Sequence, residues 1–264
     1  MMIRRVVSGI PYYTFPALAQ HTEIVHAAFT RIGGVSHQPY RALNVGHSVG
    51  DEPQAVEENH GLVWRALAVQ GAEVVTARQV HGNRVAVVGT RDGGSVMPQT
   101  DALVTGEEGV TLMLRFADCL PILLYDARKR VVGLGHAGWR GTAAAVASRM
   151  VLTMIDAFGS DPSDVLAGLG PAIGPCCYEV GDEVVRAIKP ALPRWQDAVR
   201  PFGNGLFSFD LWEANRQQLR DRGVRHIETG GLCTACHADE FFSHRAEKGK
   251  TGRFATLIGL RKSS

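Results

Sequence analysis

Ala117–Thr142 reads ADCLPILLYDARKRVVGLGHAGWRGT, two apolar runs parted by Asp126-Ala127-Arg128-Lys129. That spacing predicts a tight β-hairpin. With Ala127-Arg128 as a two-residue loop, Leu123 faces Val132 and Cys119 faces His136. Directly opposed residues leave the same face with Cβ atoms about 4.5–5.5 Å apart, so this register sets a thiol beside an imidazole. Ala-Arg is not a favoured hairpin pair. A one-residue slip would bring Ala137 opposite Cys119 and separate the two groups. On the residues alone, Cys119 and His136 read as metal ligands, as a nucleophile with its base, or as a packed thiol and a hydrogen-bonded strand-end imidazole.

The hairpin runs into Gly135-His136-Ala137-Gly138-Trp139-Arg140-Gly141-Thr142. Thr142 is the expected N-cap of a helix to Phe158 carrying Val146, Met150, Met154, Ile155 and Phe158 on one face, with Gly159 and Pro162 as stop signals. Backbone amides at such a glycine-rich helix start attract anions, and Arg140 adds a charged fork; the alternative is a plain glycine turn with Arg140 in solvent. The Gly-Lys-Ser/Thr ending of a phosphate-binding P-loop is absent. Further β-branched runs occur at Glu23–Phe29, Val74–Thr76, Arg84–Val88, Thr111–Phe116, Val165–Leu169 and Phe254–Ile258. Helical patterns occupy Ala55–Val69, Asp182–Ile188 and Leu211–Arg222. Strands and helices are mixed without strict alternation. The expected fold is therefore α+β, a single domain over residues 1–264 with mixed sheets packed together and flanked by helices.

The chain's 28 Lys+Arg against 26 Asp+Glu give a net charge of +2, which offers no electrostatic case for nucleic acid as a partner. After Arg4 and Arg5 only Val6 and Val7 precede Ser8, Gly9 and Pro11, so no export signal is expected. No run of about 18 apolar residues predicts a membrane span. Five cysteines is an odd number, and a chain of this size needs no disulfide framework, so reduced thiols in a cytoplasmic protein are expected. Cys233-Thr-Ala-Cys236-His237 matches a haem-attachment pattern that belongs to exported proteins. Its cysteines remain open between a structural metal site, a redox pair and packed thiols near a pocket. The adjacent Cys176-Cys177 read as core or loop residues. His81, in the Gln79–Gly82 turn, is by spacing no stronger a ligand candidate than His47 or His60.

Several segments in order resemble one family: TRIGGVS at Thr30–Ser36, LNVGHSVGDEPQAVEE at Leu43–Glu58, QVHG at Gln79–Gly82, TDALVT at Thr100–Thr105 and ADCLP at Ala117–Pro121. The likeness continues through HAGWRG at His136–Gly141, GPAIGPCCYE at Gly170–Glu179, Cys233–His237 with Phe241–Arg245, and TGR at Thr251–Arg253. Over about Ala28 to Leu260 the chain resembles the bacterial laccase-like multicopper polyphenol oxidase proteins, regarded as purine nucleoside phosphorylases. The resemblance implies that His81, Cys119 and His136 bind zinc, with copper used by phenol-oxidising members. It also implies phosphorolysis of adenosine, inosine and guanosine to free base and ribose 1-phosphate, with adenosine deamination and 5′-methylthioadenosine phosphorolysis besides. Purine nucleosides and phosphate are then the partners, with no nucleic acid or membrane. Departures are Leu134-Gly135 before His136 and His244 where tyrosine is common. Arg140 with the Gly138–Thr142 backbone is the expected phosphate site; Arg31, Asn44 and Arg253, polar residues of the matching segments, are further substrate-contact candidates. Three readings compete with the phosphorylase: a copper-dependent polyphenol oxidase, a cysteine hydrolase using Cys119 and His136, and a non-catalytic zinc-bound interaction module. Polyphenol oxidation is disfavoured because a single three-ligand site lacks the several copper centres used in four-electron oxygen reduction.

Overall fold

The computed structural model describes residues 1–263. The Ala117–Thr142 stretch is a hairpin, but its register lies two residues from the expected one. Leu120–Asp126 and Val131–Ala137 pair antiparallel with Asp126 opposite Val131 and Pro121 opposite His136. The loop is thus Ala127–Arg130. The Asp126 carboxylate organises it, Oδ1 accepting from the amides of Arg128 and Lys129 at 2.9 and 3.0 Å, while Arg130 takes a left-handed φ of 53°. Because side chains alternate with period two, a shift of two keeps every residue on its face. Cys119, just before the first strand, lies a diagonal step from His136 rather than opposite it.

The hairpin occupies the middle of a six-stranded sheet ordered His226–Thr229, Val165–Leu169, Leu120–Asp126, Val131–Ala137, Ala102–Thr105 and Val85–Val87. A seven-stranded sheet runs Ile3–Val7, Ile10–Thr14, Ile24–Phe29, Phe254–Leu260, Thr111–Phe116, Val74–Ala77 and Val96–Met97. Both combine parallel and antiparallel pairs, so the α+β class with mixed sheets is as expected. Glu179–Val180, Leu206–Phe209 and Val199–Gly203 form a small third sheet.

Alternation along the strands assigns the layers. Leu123 and Tyr125 of the hairpin, with Leu112, Leu114, Phe254 and Ile258 of the larger sheet, fill the space between the two sheets. Leu120, Ile122 and Leu124 face the other way, onto helices Val146–Phe158 and Leu211–Asp221. Ala27, Phe29, Met113 and Leu257 cover the outer face of the larger sheet against helix Pro53–Leu67. Sheets covered on both faces explain why strands read as continuous apolar runs. Each fully buried Leu or Phe contributes about 1.5–3 kcal/mol.

The helix expected from Thr142 to Phe158 is divided. Trp139–Ala143 forms one short helix and Val146–Phe158 a second, with Ala145 at φ 59° between them. Thr142 is consequently not an N-cap: it is fully buried inside the short helix, its Oγ1 accepting from Asn215 Nδ2 at 3.0 Å. The break lets Val146–Phe158 lie along the hairpin, where Met150 occupies the space a side chain at Gly135 would need.

Candidate metal centre and active site

His136 ends its strand on the face between the sheets, with the Phe116 ring 5.6 Å from its own. The site therefore opens at one end of the inter-sheet core. His136 is buried, and its Nδ1 lies 3.0 Å from Oδ1 of the fully buried Asp101. Nε2 is thereby turned toward Cys119. The same carboxylate receives the amides of Val80, His81 and Gly82 at 3.2, 2.9 and 2.7 Å. Asp101 thus fixes both the His136 ring and the turn that carries His81, itself at φ 61°.

The three side chains expected to act together do meet. Ligand atoms of His81, Cys119 and His136 all lie within 4.8 Å of one another, and Cys119 Sγ is 3.9 Å from His81 Nδ1. A tetrahedral zinc with ordinary Zn–S and Zn–N bonds would set that separation at about 3.6 Å, so the donor set fits the ion with small adjustment. Two glycines make the convergence feasible. A Cβ on Gly138 would stand 2.8 Å from Cys119 Sγ and 3.2 Å from His81 Nδ1, and one on Gly141 3.0 Å from the Gly82 carbonyl.

The electrostatics favour a thiolate beside an imidazolium, so Cys119 is in its ligating form while metal binding would have to displace the His136 proton. Burial opposes ionisation of Cys119, but the His136 charge and hydrogen bonds from His136 and His81 overcome it and bring the thiol down to about 6. Burial likewise opposes protonation of His136, yet the Cys119 thiolate and Asp101 carboxylate raise it to about 9. Asp101 stays a carboxylate, burial being outweighed by His136 and the surrounding amides.

These ligands line a cavity of about 1060 Å³ whose wall also includes Arg78, Arg115, Trp139, Arg140, Tyr178 and Arg253. Arg140 lies over the Trp139 ring at 4.2 Å. The Thr142 amide is taken by the Gly138 carbonyl at 2.9 Å, so the expected phosphate site narrows to the Arg140 side chain and the first amides of the turn. Arg253 also reaches the cavity, its backbone amide held by Asn44 Oδ1 at 2.8 Å. Arg31 and Asn44 do not line it. Arg31 Nη1 donates to the Ala238 carbonyl at 2.7 Å and Nη2 to Glu247 at 3.0 Å, beside a separate cavity. Asn44 is fully buried and bonds Asp51 and Gly46 as well as Arg253. Both residues organise loops.

Asp118, at φ 83°, accepts from Thr234 Oγ1 at 2.7 Å and from the Arg245 amide at 2.6 Å. Sequence reasoning missed Asp101, Tyr178, Arg115 and Arg245. Asp101 precedes a strand that pairs beside the His136 strand, but an Asp before a short apolar run carries no local mark of that role. Arg115, half-buried with Nε on the Val45 carbonyl at 2.9 Å, sits near the end of its strand, where only the fold reveals the opening.

The family described as multi-copper polyphenol oxidoreductase laccase matches residues 25–261. The chain belongs to this laccase-like family. A relative named purine nucleoside phosphorylase YlmD, from Geobacillus stearothermophilus, is 40% identical over 247 residues, covering 88% of this chain and 89% of that protein. Purine nucleoside phosphorylase SCO2081 of Streptomyces coelicolor is 40% identical over 239 residues, 89% of this chain and 95% of that one. The crystal structure of YlmD from Geobacillus stearothermophilus superposes on this laccase-like chain with a TM-score of 0.94 at 38% identity, covering 99% and 100% of the two chains.

Proposed function

We propose that this chain is a purine nucleoside phosphorylase that cleaves adenosine, inosine and guanosine with inorganic phosphate, releasing free base and ribose 1-phosphate. The observation that carries the reading is a single cavity uniting the His81–Cys119–His136 ligand set with arginines for an anion and aromatic faces for a base. The names of the relatives add support. A phosphate oxygen attacks C1′, the C1′–N9 bond breaks, and the purine leaves with the electron pair. Positive charge gathers on the ribose as this happens, so holding phosphate against C1′ accounts for much of the acceleration. Arg140 and Arg253 hold the phosphate, and Trp139 and Tyr178 offer ring faces to the purine. Asp101 keeps the His136 imidazole oriented. His81, Cys119 and His136 would hold Zn²⁺, or Cu²⁺ in its place, and the bound ion would supply Lewis-acid polarisation or an activated water. The same water chemistry would serve adenosine deamination, and 5′-methylthioadenosine would be a further phosphorolysis substrate. No helix among the described residues is long and apolar enough to cross a membrane; small free nucleosides in a cytoplasmic setting are part of the proposal. Phosphate-dependent release of hypoxanthine from inosine tests the reading directly. Arg140→Ala is expected to raise the phosphate KM about 10–100-fold, the loss of one charged hydrogen-bonding group; an unchanged KM removes Arg140 from the phosphate site.

One observation favours a second reading. Cys119, His136 and Asp101 form a thiolate–imidazolium–carboxylate chain of the kind that activates a cysteine nucleophile. A hydrolase built on it would work without phosphate and would be released, not silenced, by chelators.

A further inference from the structure

Four of the five cysteines lie outside the site described above, and the fold gathers them at one place. Cys176 and Cys177 follow the Val165–Leu169 strand, and Cys233 and Cys236 follow the His226–Thr229 strand. Those two strands pair in parallel, so the segments leaving their ends run side by side, with Ala172 bridged to Cys233 and the Thr234 amide on the Ala172 carbonyl at 3.0 Å. All four sulfurs lie within 4.8 Å of one another. Cys236 Sγ is 3.5 Å from Cys176 Sγ and 3.4 Å from Cys177 Sγ. Cys176 and Cys177 are loop residues, as expected, and a chain turn after Gly174 aims both at Cys236.

We propose that Cys176, Cys177, Cys233 and Cys236 form a second metal centre, a tetrathiolate site for a soft divalent ion such as Zn²⁺. Four thiolates are the donor set of closed structural zinc sites, and a regular ZnS₄ tetrahedron has sulfur–sulfur edges of about 3.8 Å. The cluster meets that size without bringing any sulfur pair to bonding distance, and all four cysteines are free. Its surroundings suit an ion-bound thiolate. The Gly174 amide donates to Cys233 Sγ at 3.2 Å, and a Cβ on Gly174 would press on Cys176 Sγ at 3.2 Å and on Cys233 Cβ at 3.2 Å. Such amide-to-sulfur bonds spread the charge of a thiolate-only site.

The position gives the centre a task. It ties Ala172–Tyr178 to Cys233–His237, and the first segment brings Ile173 and Tyr178 to the cavity wall. The second brings Thr234 onto Asp118, the neighbour of Cys119. The ion acts here as a staple for the cavity wall, without touching substrate, and the inference does not depend on the phosphorylase reading.

The test is metal stoichiometry on protein purified under reducing conditions and saturated with zinc. The native chain is expected to hold two equivalents. A His81→Ala/Cys119→Ala variant should keep one, and Cys233→Ala/Cys236→Ala should lose one while keeping the other. Should that pair fail to fold, Cys236→Ser, at an exposed cysteine, carries the test. Cobalt then gives a readout on the native chain: filling the thiolate site should produce intense sulfur-to-metal charge-transfer absorption that survives in the His81→Ala/Cys119→Ala variant. An equal metal content in native and cysteine variants overturns the proposal. So does a native mass showing a disulfide among these cysteines under the same reducing conditions.

Discussion

Replacing Gly138 by alanine probes the metal centre with one carbon atom. Gly138 has φ −82° and ψ −177°, backbone that any residue adopts, so the substitution imposes no conformational strain of its own. The new Cβ would stand 2.8 Å from Cys119 Sγ and 3.2 Å from His81 Nδ1. Favourable contact begins at about 3.5 Å, so the sulfur must retreat by about 0.7 Å and the imidazole by about 0.3 Å. Metal sites tolerate ligand displacements of about 0.2 Å. Zinc affinity should fall at least about 100-fold, equivalent to about 2.7 kcal/mol, and phosphorolysis should fall with it. The thermal midpoint of the metal-free protein should change by less than about 4 °C. Competition against a chromophoric chelator gives the affinity, and hypoxanthine release from inosine gives the rate. Gly61→Ala is the control: it lies in helix Pro53–Leu67, where its Cβ would meet only Arg65 Nη1 at 3.4 Å, and it should leave both readouts untouched. Native zinc affinity in Gly138→Ala would refute the convergence of Cys119 and His81 on one ion.

Asp101→Asn keeps the shape of the side chain but removes the charge facing His136 and three backbone amides; a 10–100-fold loss of zinc affinity is expected, read by the same competition assay. Ala145→Gly should relieve the left-handed backbone at φ 59° and stabilise the chain by up to about 1 kcal/mol, a rise of about 2–4 °C in thermal midpoint. Stability should also fall with acid because of two buried histidines. His26 Nε2 accepts the Phe15 amide at 2.9 Å, and His60 Nε2 meets the Val45 carbonyl at 3.0 Å. Burial holds each near 4 against an ordinary 6.5. Below about 6.5 the unfolded chain takes up protons that the folded chain refuses, so stability is complete above that pH and declines from 6.5 toward 4. Between pH 7.5 and 5 the loss is about 2 kcal/mol for each histidine, measurable as a shift in urea midpoint. A flat midpoint over that range would show that neither imidazole is held neutral.

The hairpin and the intermixing of strands and helices were legible because apolar alternation and loop spacing are local signals. Its register was not: Asp126 bonding the Arg128 and Lys129 amides stabilises a longer loop that residue type alone does not demand. The pairing of Cys119 with His136 survived that error because parity was conserved. His81 needed the family resemblance, since its place depends on Asp101, a residue reached only through the neighbouring strand. The division at Ala145 was hidden because helical periodicity is blind to a single left-handed residue. The cysteine cluster was hidden for a similar reason, Cys236 lying 60 residues from Cys176 and 59 from Cys177 and meeting them only through a parallel strand pairing.

Phe254–Leu260, the last strand described, lies in the interior of the seven-stranded sheet between Ile24–Phe29 and Thr111–Phe116. Its two rows of ladder hydrogen bonds join what would otherwise be two half-sheets with facing unpaired edges. A substitution that weakens this one strand would therefore loosen both halves of the larger sheet at once.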